Sequence, residues 1–135
     1  MIETIRVLSI EDDLDIIAWL RKTLRQISKP TYSLTCMDSL AAGLRELQTH
    51  EYDVILLDLG LPDSQGMTSI DCVRQVAADT PIVAITMLAC DGARPRRGIE
   101  YANTHAMMRD PALLLAAIGT ALAMKVYRGH YEMAE

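Results

Sequence analysis

Three short apolar runs divide the chain, and each stops at a polar side chain. Val7-Leu8-Ser9-Ile10 runs into Glu11-Asp12-Asp13, Val54-Ile55-Leu56-Leu57 into Asp58, and Ile82-Val83-Ala84-Ile85 into Thr86. Runs this short and this rich in β-branched residues predict strands buried on both faces, the pattern of a parallel sheet covered by helices. A further segment, 31–37, alternates β-prone side chains and predicts another strand. The intervening segments carry helical spacing instead. Ile16, Ile17, Leu20, Leu24 and Ile27 share one face of a helix from Leu14 to Ile27, with Arg21, Lys22 and Arg25 outward. Leu40, Leu44 and Leu47 line a helix from Leu40 to about His50, and Ile70, Val73 and Val76 line one from Met67 or Thr68 to about Ala78. Asp12 or Asp13 is placed to cap the first helix and Asp38-Ser39 the second. His50 falls at a helix end, where a solvated cap is the ordinary role.

The order β-α-β-α-β-α-β with short links predicts an α/β fold, a doubly wound five-stranded parallel sheet with right-handed crossovers and helices on both faces. The flavodoxin-like strand order 2-1-3-4-5 fits this alternation. The pattern weakens from Met87 to Arg109. Cys90 to Gly98 holds two glycines, a proline and three arginines, so no regular helix is expected there. The fifth strand is expected between Ile99 and Met108. Asp110-Pro111 then starts a clear helix, with Asp110 as N-cap and Pro111 at the first helical position. This helix is expected to run from Ala112 to about Tyr127, with Gly129 ending it. That divides the chain into one domain, 1–128, and a tail, 129–135.

At 135 residues the chain is long enough for one good core. No apolar run reaches the roughly 20 residues that span a bilayer, and the N-terminus lacks a signal-peptide layout. Three scattered cysteines without a Cys-x-x-Cys pair argue for reduced thiols in the cytoplasm rather than a disulfide framework or zinc. A net charge of −5 argues against direct nucleic-acid binding.

The chemistry lies at the strand ends. In an open α/β sheet the carboxyl ends of the strands form the ligand crevice. The predicted order makes strands one and three neighbours there, with strand four beside three. Glu11, Asp12, Asp58 and the hydroxyl of Thr86 therefore converge. Any one of these acids alone is an ordinary strand-end or capping residue. Three together raise one another's pKa unless a cation intervenes. An all-oxygen site suits Mg²⁺, which keeps waters and often a phosphate oxygen in its shell. FMN would need a Gly/Ser/Thr phosphate loop after strand one, and acids stand there instead.

The stretches around Glu11-Asp12-Asp13, Asp58-Leu59-Gly60-Leu61-Pro62-Asp63 with Gly66, and Pro81 to Thr86 resemble the receiver domains of two-component response regulators. The resemblance covers Arg6 to about Thr86, and the last helix. It implies that Asp58 is the phosphoacceptor, fed by a histidine kinase or a histidine phosphotransfer protein. It implies that Asp12 holds Mg²⁺ directly, that Glu11 does so through water, and that Asp58 and the Gly60 carbonyl complete the protein ligands. Thr86 would hydrogen-bond the phosphoryl group and shift with it. Such a domain is not a classical enzyme; output would pass through protein contact, with a homodimer or an output partner.

The chain departs from that family in one charge and in an eroded fourth helix, which in the family belongs to the face that carries output. Receivers carry a lysine at the end of strand five, and no lysine lies between Lys29 and Lys125. Counting from Gly98 places the position at His105, counting from Tyr101 at Thr104, and counting back from Asp110-Pro111 at Ala106. His105 is a hydrogen-bond donor and cationic only at lower pH. Arg94, Arg96, Arg97 and Arg109 are alternatives. Two readings follow: a phosphoryl-accepting receiver, and a pseudo-receiver that acts as an interaction module without phosphorylation. A dehalogenase-like hydrolase would want an acid where Gly60 stands.

Overall fold

A computed structural model describes residues 4–87 and 98–134, with side chains as far as 124. The chain folds as β1 (Thr4–Ile10), α1 (Leu14–Arg25), β2 (Thr31–Met37), α2 (Leu40–Thr49), β3 (Val54–Asp58), α3 (Met67–Val76), β4 (Ile82–Thr86), β5 (Ile99–Asn103), α4 (Thr104–Arg109) and α5 (Pro111–Ala134). A two-residue hairpin, Gly60–Leu61 against Ser64–Gln65, bridges β3 to α3. The sheet order is β2-β1-β3-β4-β5 and every pair is parallel. This is the doubly wound order expected from the sequence.

Alternation along the strands sorts the core into two layers. Val7, Val54, Leu56, Val83 and Ile85 point to the side covered by α1, α4 and α5, where they meet Leu20, Leu24, Met107, Leu114 and Ile118. Leu8, Ile10, Ile55, Leu57 and Ala84 point to the other side and meet Leu40, Ile70 and Val73 of α2 and α3. Val54 to Leu57 are all 0% exposed, so each contributes on the order of 1.5–3 kcal/mol by burial. Central strands buried on both faces lack a polar face, which is why their sequence is continuous rather than alternating.

Local chemistry sets the helix ends. Asp13 Oδ1 accepts from the Asp15 and Ile16 amides, and Ser39 Oγ from the Ala42 amide. Asp110 Oδ1 accepts from the Ala112 amide at the start of α5. Trp19 is half-buried against the first core layer. α2 lies so close to β1 that a Cβ on Gly43 would stand 2.4 Å from Ile10 Cδ1. Gly43→Ala should therefore lower stability by up to about 2 kcal/mol: overpacking of this kind costs about 1–3 kcal/mol, against roughly 1 kcal/mol of helix propensity gained. A urea midpoint equal to or above that of the parent chain would show that Ile10 can move aside.

Two expectations change. The fifth strand is compact, Ile99–Asn103, and a short helix, α4, follows it at once where the sequence pattern showed none. It is capped by Asn103, whose Oδ1 accepts from the Ala106 amide at 2.9 Å. α5 does not end near Tyr127 but continues through Gly129 to Ala134. Glycine weakens a helix interior by only about 1 kcal/mol, and Ala123, Met124 and Lys125 in the turns before Gly129 are good helix formers. The segment 88–97, with Cys90 and the loop arginines Arg94, Arg96 and Arg97, lies outside the described residues.

Candidate phosphoryl and metal site

The crevice at the carboxyl ends of β1, β3, β4 and β5 has a volume of about 410 Å³ and is lined by Glu11, Asp12, Asp13, Asp58, Gly60, Thr86, Met87 and Thr104, among others. Each of these is delivered by a strand end. Glu11 directly follows β1, where its amide bonds the Met37 carbonyl at 3.0 Å and continues the ladder one step beyond the strand. Its side chain turns inward and is only 2% exposed. Glu11 Oε1 accepts from the Asp13 amide at 3.0 Å. Glu11 Oε2 is buried without a hydrogen-bond donor. Asp58, half-buried at the end of β3, accepts from the Gly60 amide through Oδ1 at 2.9 Å. The Leu59 amide bonds the Ile85 carbonyl at 2.9 Å, which ties this turn to β4.

One ligand oxygen from each of Glu11, Asp12 and Asp58 lies within 4.8 Å of the others. Burial drives Glu11 up to about 8, partly offset by the Asp13 amide and reinforced by Asp58 and Asp12. Burial likewise raises Asp58, with the Gly60 amide pulling the other way. A buried carboxylate, Glu11, and a half-buried one, Asp58, face each other with nothing to share but a proton. An unpaired buried carboxylate oxygen is costly, and a cation would satisfy it. The donor set is oxygen only, without thiolate or imidazole, so the residues fit a hard divalent ion such as Mg²⁺.

The structure brings Glu11, Asp12, Asp58, Gly60 and Thr86 together as the sequence anticipated. It does not bring His105 to the crevice. His105 is exposed on α4, and the adjacent wall position is Thr104, 5% exposed. Of the three alignments, the one counted from Tyr101 matches the crevice wall. Arg109 is exposed at the end of α4 and is not part of the wall. No basic residue lines the crevice among the described residues. The sequence also understated Asp63. Its carboxylate accepts from the Leu40 and Ala41 amides at 3.0 and 3.1 Å, which holds it below the usual carboxylate range and ties the turn after β3 to the start of α2. The signal was the acid itself: helix N-termini attract carboxylates, but this one comes from 23 residues away in sequence.

Comparison with known proteins agrees with this geometry. Residues 7–98 match the response regulator receiver domain family, about two thirds of the chain. The transcriptional regulatory protein KdpE of Staphylococcus aureus is 38% identical over 81 residues, which is 60% of this chain and 33% of that protein. The chain thus spans about a third of the length of curated relatives such as this one. A sensor protein from Polaromonas sp. JS666 superposes with a TM-score of 0.74 at 25% identity, covering 89% of this chain and 97% of the other. A CheY-like receiver domain protein from Methanospirillum hungatei JF-1 superposes with a TM-score of 0.73 at 20% identity over 93% and 98%, which speaks to the fold alone. No described helix is long and apolar enough to cross a membrane. With the strand order, the strand-end acids and the family match in agreement, the chain belongs to the response regulator receiver domains of two-component systems.

Proposed function

We propose that Asp58 accepts a phosphoryl group from a phosphohistidine on a histidine kinase or histidine phosphotransfer protein. The observation that carries this is the three-carboxylate cluster with its orphaned Glu11 Oε2. An Asp58 carboxylate oxygen forms the new O–P bond as the N–P bond of the donor breaks. The electron pair of that bond returns to the imidazole, which takes up a proton. The Gly60 amide holds Asp58 in place at 2.9 Å for this attack. Glu11, Asp12, Asp58 and the Gly60 carbonyl would hold Mg²⁺, which supplies positive charge against the incoming phosphoryl oxygens. Phosphoryl transfer of this type is mainly positioning and electrostatics, so a domain without further catalytic groups suffices. Thr86, at the end of β4, supplies a hydroxyl to the phosphoryl group. The message then leaves by surface contact with an output partner or a second copy, in the cytoplasm.

Incubation with acetyl phosphate and Mg²⁺, followed by mass spectrometry, should show one phosphoryl group on Asp58. No modification, and no response to beryllofluoride, would favour the second reading. That reading is a phosphorylation-independent interaction module, supported by the absence of a basic side chain among the described crevice residues.

Metal binding is separable from phosphorylation. Asp12 is exposed at the crevice mouth and is no part of the core. Asp12→Ala should therefore fold normally and weaken Mg²⁺ binding at least tenfold by calorimetry. Equal affinity in the two proteins would mean that the ion sits elsewhere.

A further inference from the structure

The crevice has two unlike halves, and the sheet order keeps them apart. Glu11 and Asp12 follow β1 and Asp58 ends β3, whereas Thr86 ends β4 and Thr104 directly follows β5. In the order β1-β3-β4-β5 the acids lie to one side and the two hydroxyls to the other. β4 and β5 pair with Thr86 opposite Asn103, so Thr104 stands one residue past the level of Thr86. Thr104 is 5% exposed yet lines the crevice. It is held from both directions. The β5 ladder fixes the residue before it, and the Asn103 cap fixes the first turn of α4 after it.

A phosphoryl group on Asp58 presents three non-bridging oxygens. A cation on the acid half serves the oxygen nearest to it. The oxygens turned toward β4 and β5 meet hydroxyls, each able to donate one hydrogen bond. We propose that Thr104 is a phosphoryl-contacting residue, donating its hydroxyl hydrogen bond beside that of Thr86, so that this wall holds the group with neutral donors. The proposal rests on the phosphoacceptor reading of Asp58. Neutral donors orient the oxygens without cancelling their charge, so binding of a phosphoryl mimic should lean heavily on Mg²⁺.

The test is beryllofluoride affinity at fixed Mg²⁺, with Mg²⁺ affinity measured separately in its absence. Thr104→Val keeps the shape and removes the hydroxyl. It should weaken beryllofluoride binding about tenfold and leave Mg²⁺ affinity within twofold. Thr104→Ser, which keeps the donor, should bind beryllofluoride within threefold of the parent chain. Should Thr104→Val unfold, Thr104→Ala carries the same expectation of about tenfold weakening. Parent-like beryllofluoride affinity in a folded Val or Ala variant overturns the assignment, as does an equal loss in the Ser variant, which would mark a packing role. A parent chain that binds Mg²⁺ but no beryllofluoride overturns the phosphoacceptor reading itself, and the Thr104 assignment with it.

Discussion

Asp58→Asn should abolish acyl phosphate formation and at the same time raise the stability of the metal-free domain. Both effects come from one atom change. Asparagine keeps the size of the side chain and its acceptor oxygen for the Gly60 amide. It removes the carboxylate nucleophile, so modification by acetyl phosphate should fall below detection. It also removes one of three clustered negative charges from a site where burial already raises the Asp58 carboxyl above its ordinary range. Its new amide N–H₂ can donate to the orphaned Glu11 Oε2. A gain of about 1 kcal/mol corresponds to a Tm increase of roughly 3–6 °C for a domain of this size. Thermal unfolding in a chelator at pH 7 checks this. A fall of several degrees would make Asp58 a structural residue, and a retained acid-labile phosphate would move the acceptor elsewhere.

The second large effect is a pH dependence seated at Glu11. Its carboxyl lies near 4.5 when unfolded and is pushed up to about 8 in the fold. Below pH 4.5 both states hold the proton and the group is neutral in the balance. Between 4.5 and 8 the unfolded chain has lost the proton while the folded chain keeps it, so stability falls as pH rises. Each pKa unit is worth about 1.4 kcal/mol, and relaxation around the site reduces the total to a few kcal/mol. Glu11→Gln has no proton to lose. Without metal its Tm advantage over the parent chain should grow from pH 5 to pH 8. Mg²⁺ reverses the sign, because it binds the charged form and displaces the proton. Mg²⁺ affinity of the parent chain should therefore climb with pH through the same window, and climb less in Glu11→Gln. Parallel Tm curves for the two proteins would mean that Glu11 ionises freely in the fold.

Much of the site was legible because its residues sit at the ends of strongly apolar strands. Val54 to Leu57 cannot be other than buried, and an acid at the end of such a strand must emerge at the crevice. The same logic placed Glu11, Asp12 and Thr86. The residues after Thr86 were less legible. β5 is an edge strand, in which only Ile99 and Ala102 are buried while Glu100, Tyr101 and Asn103 are partly exposed. Such a strand needs few apolar residues, so its register leaves almost no periodic trace. That is why Thr104 and His105 stood as rivals, although one lines the crevice and the other faces solvent.

The sequence by itself determined the element order as far as β4 and the last helix, the identity of the central strands, the capping positions at Asp12 or Asp13, Asp38-Ser39 and Asp110, and the set of acids able to meet. These follow from hydrophobic period, turn residues and side-chain chemistry, which act over a few residues. Only the tertiary structure decided that Glu11 Oε2 is buried without a donor, that Asp63 caps a distant helix, and that Thr104 completes the crevice wall. Each of these depends on hydrogen-bond register and packing between segments tens of residues apart, and local patterning does not encode which of two adjacent side chains faces inward. The register of β5 on β4 makes that choice for Thr104.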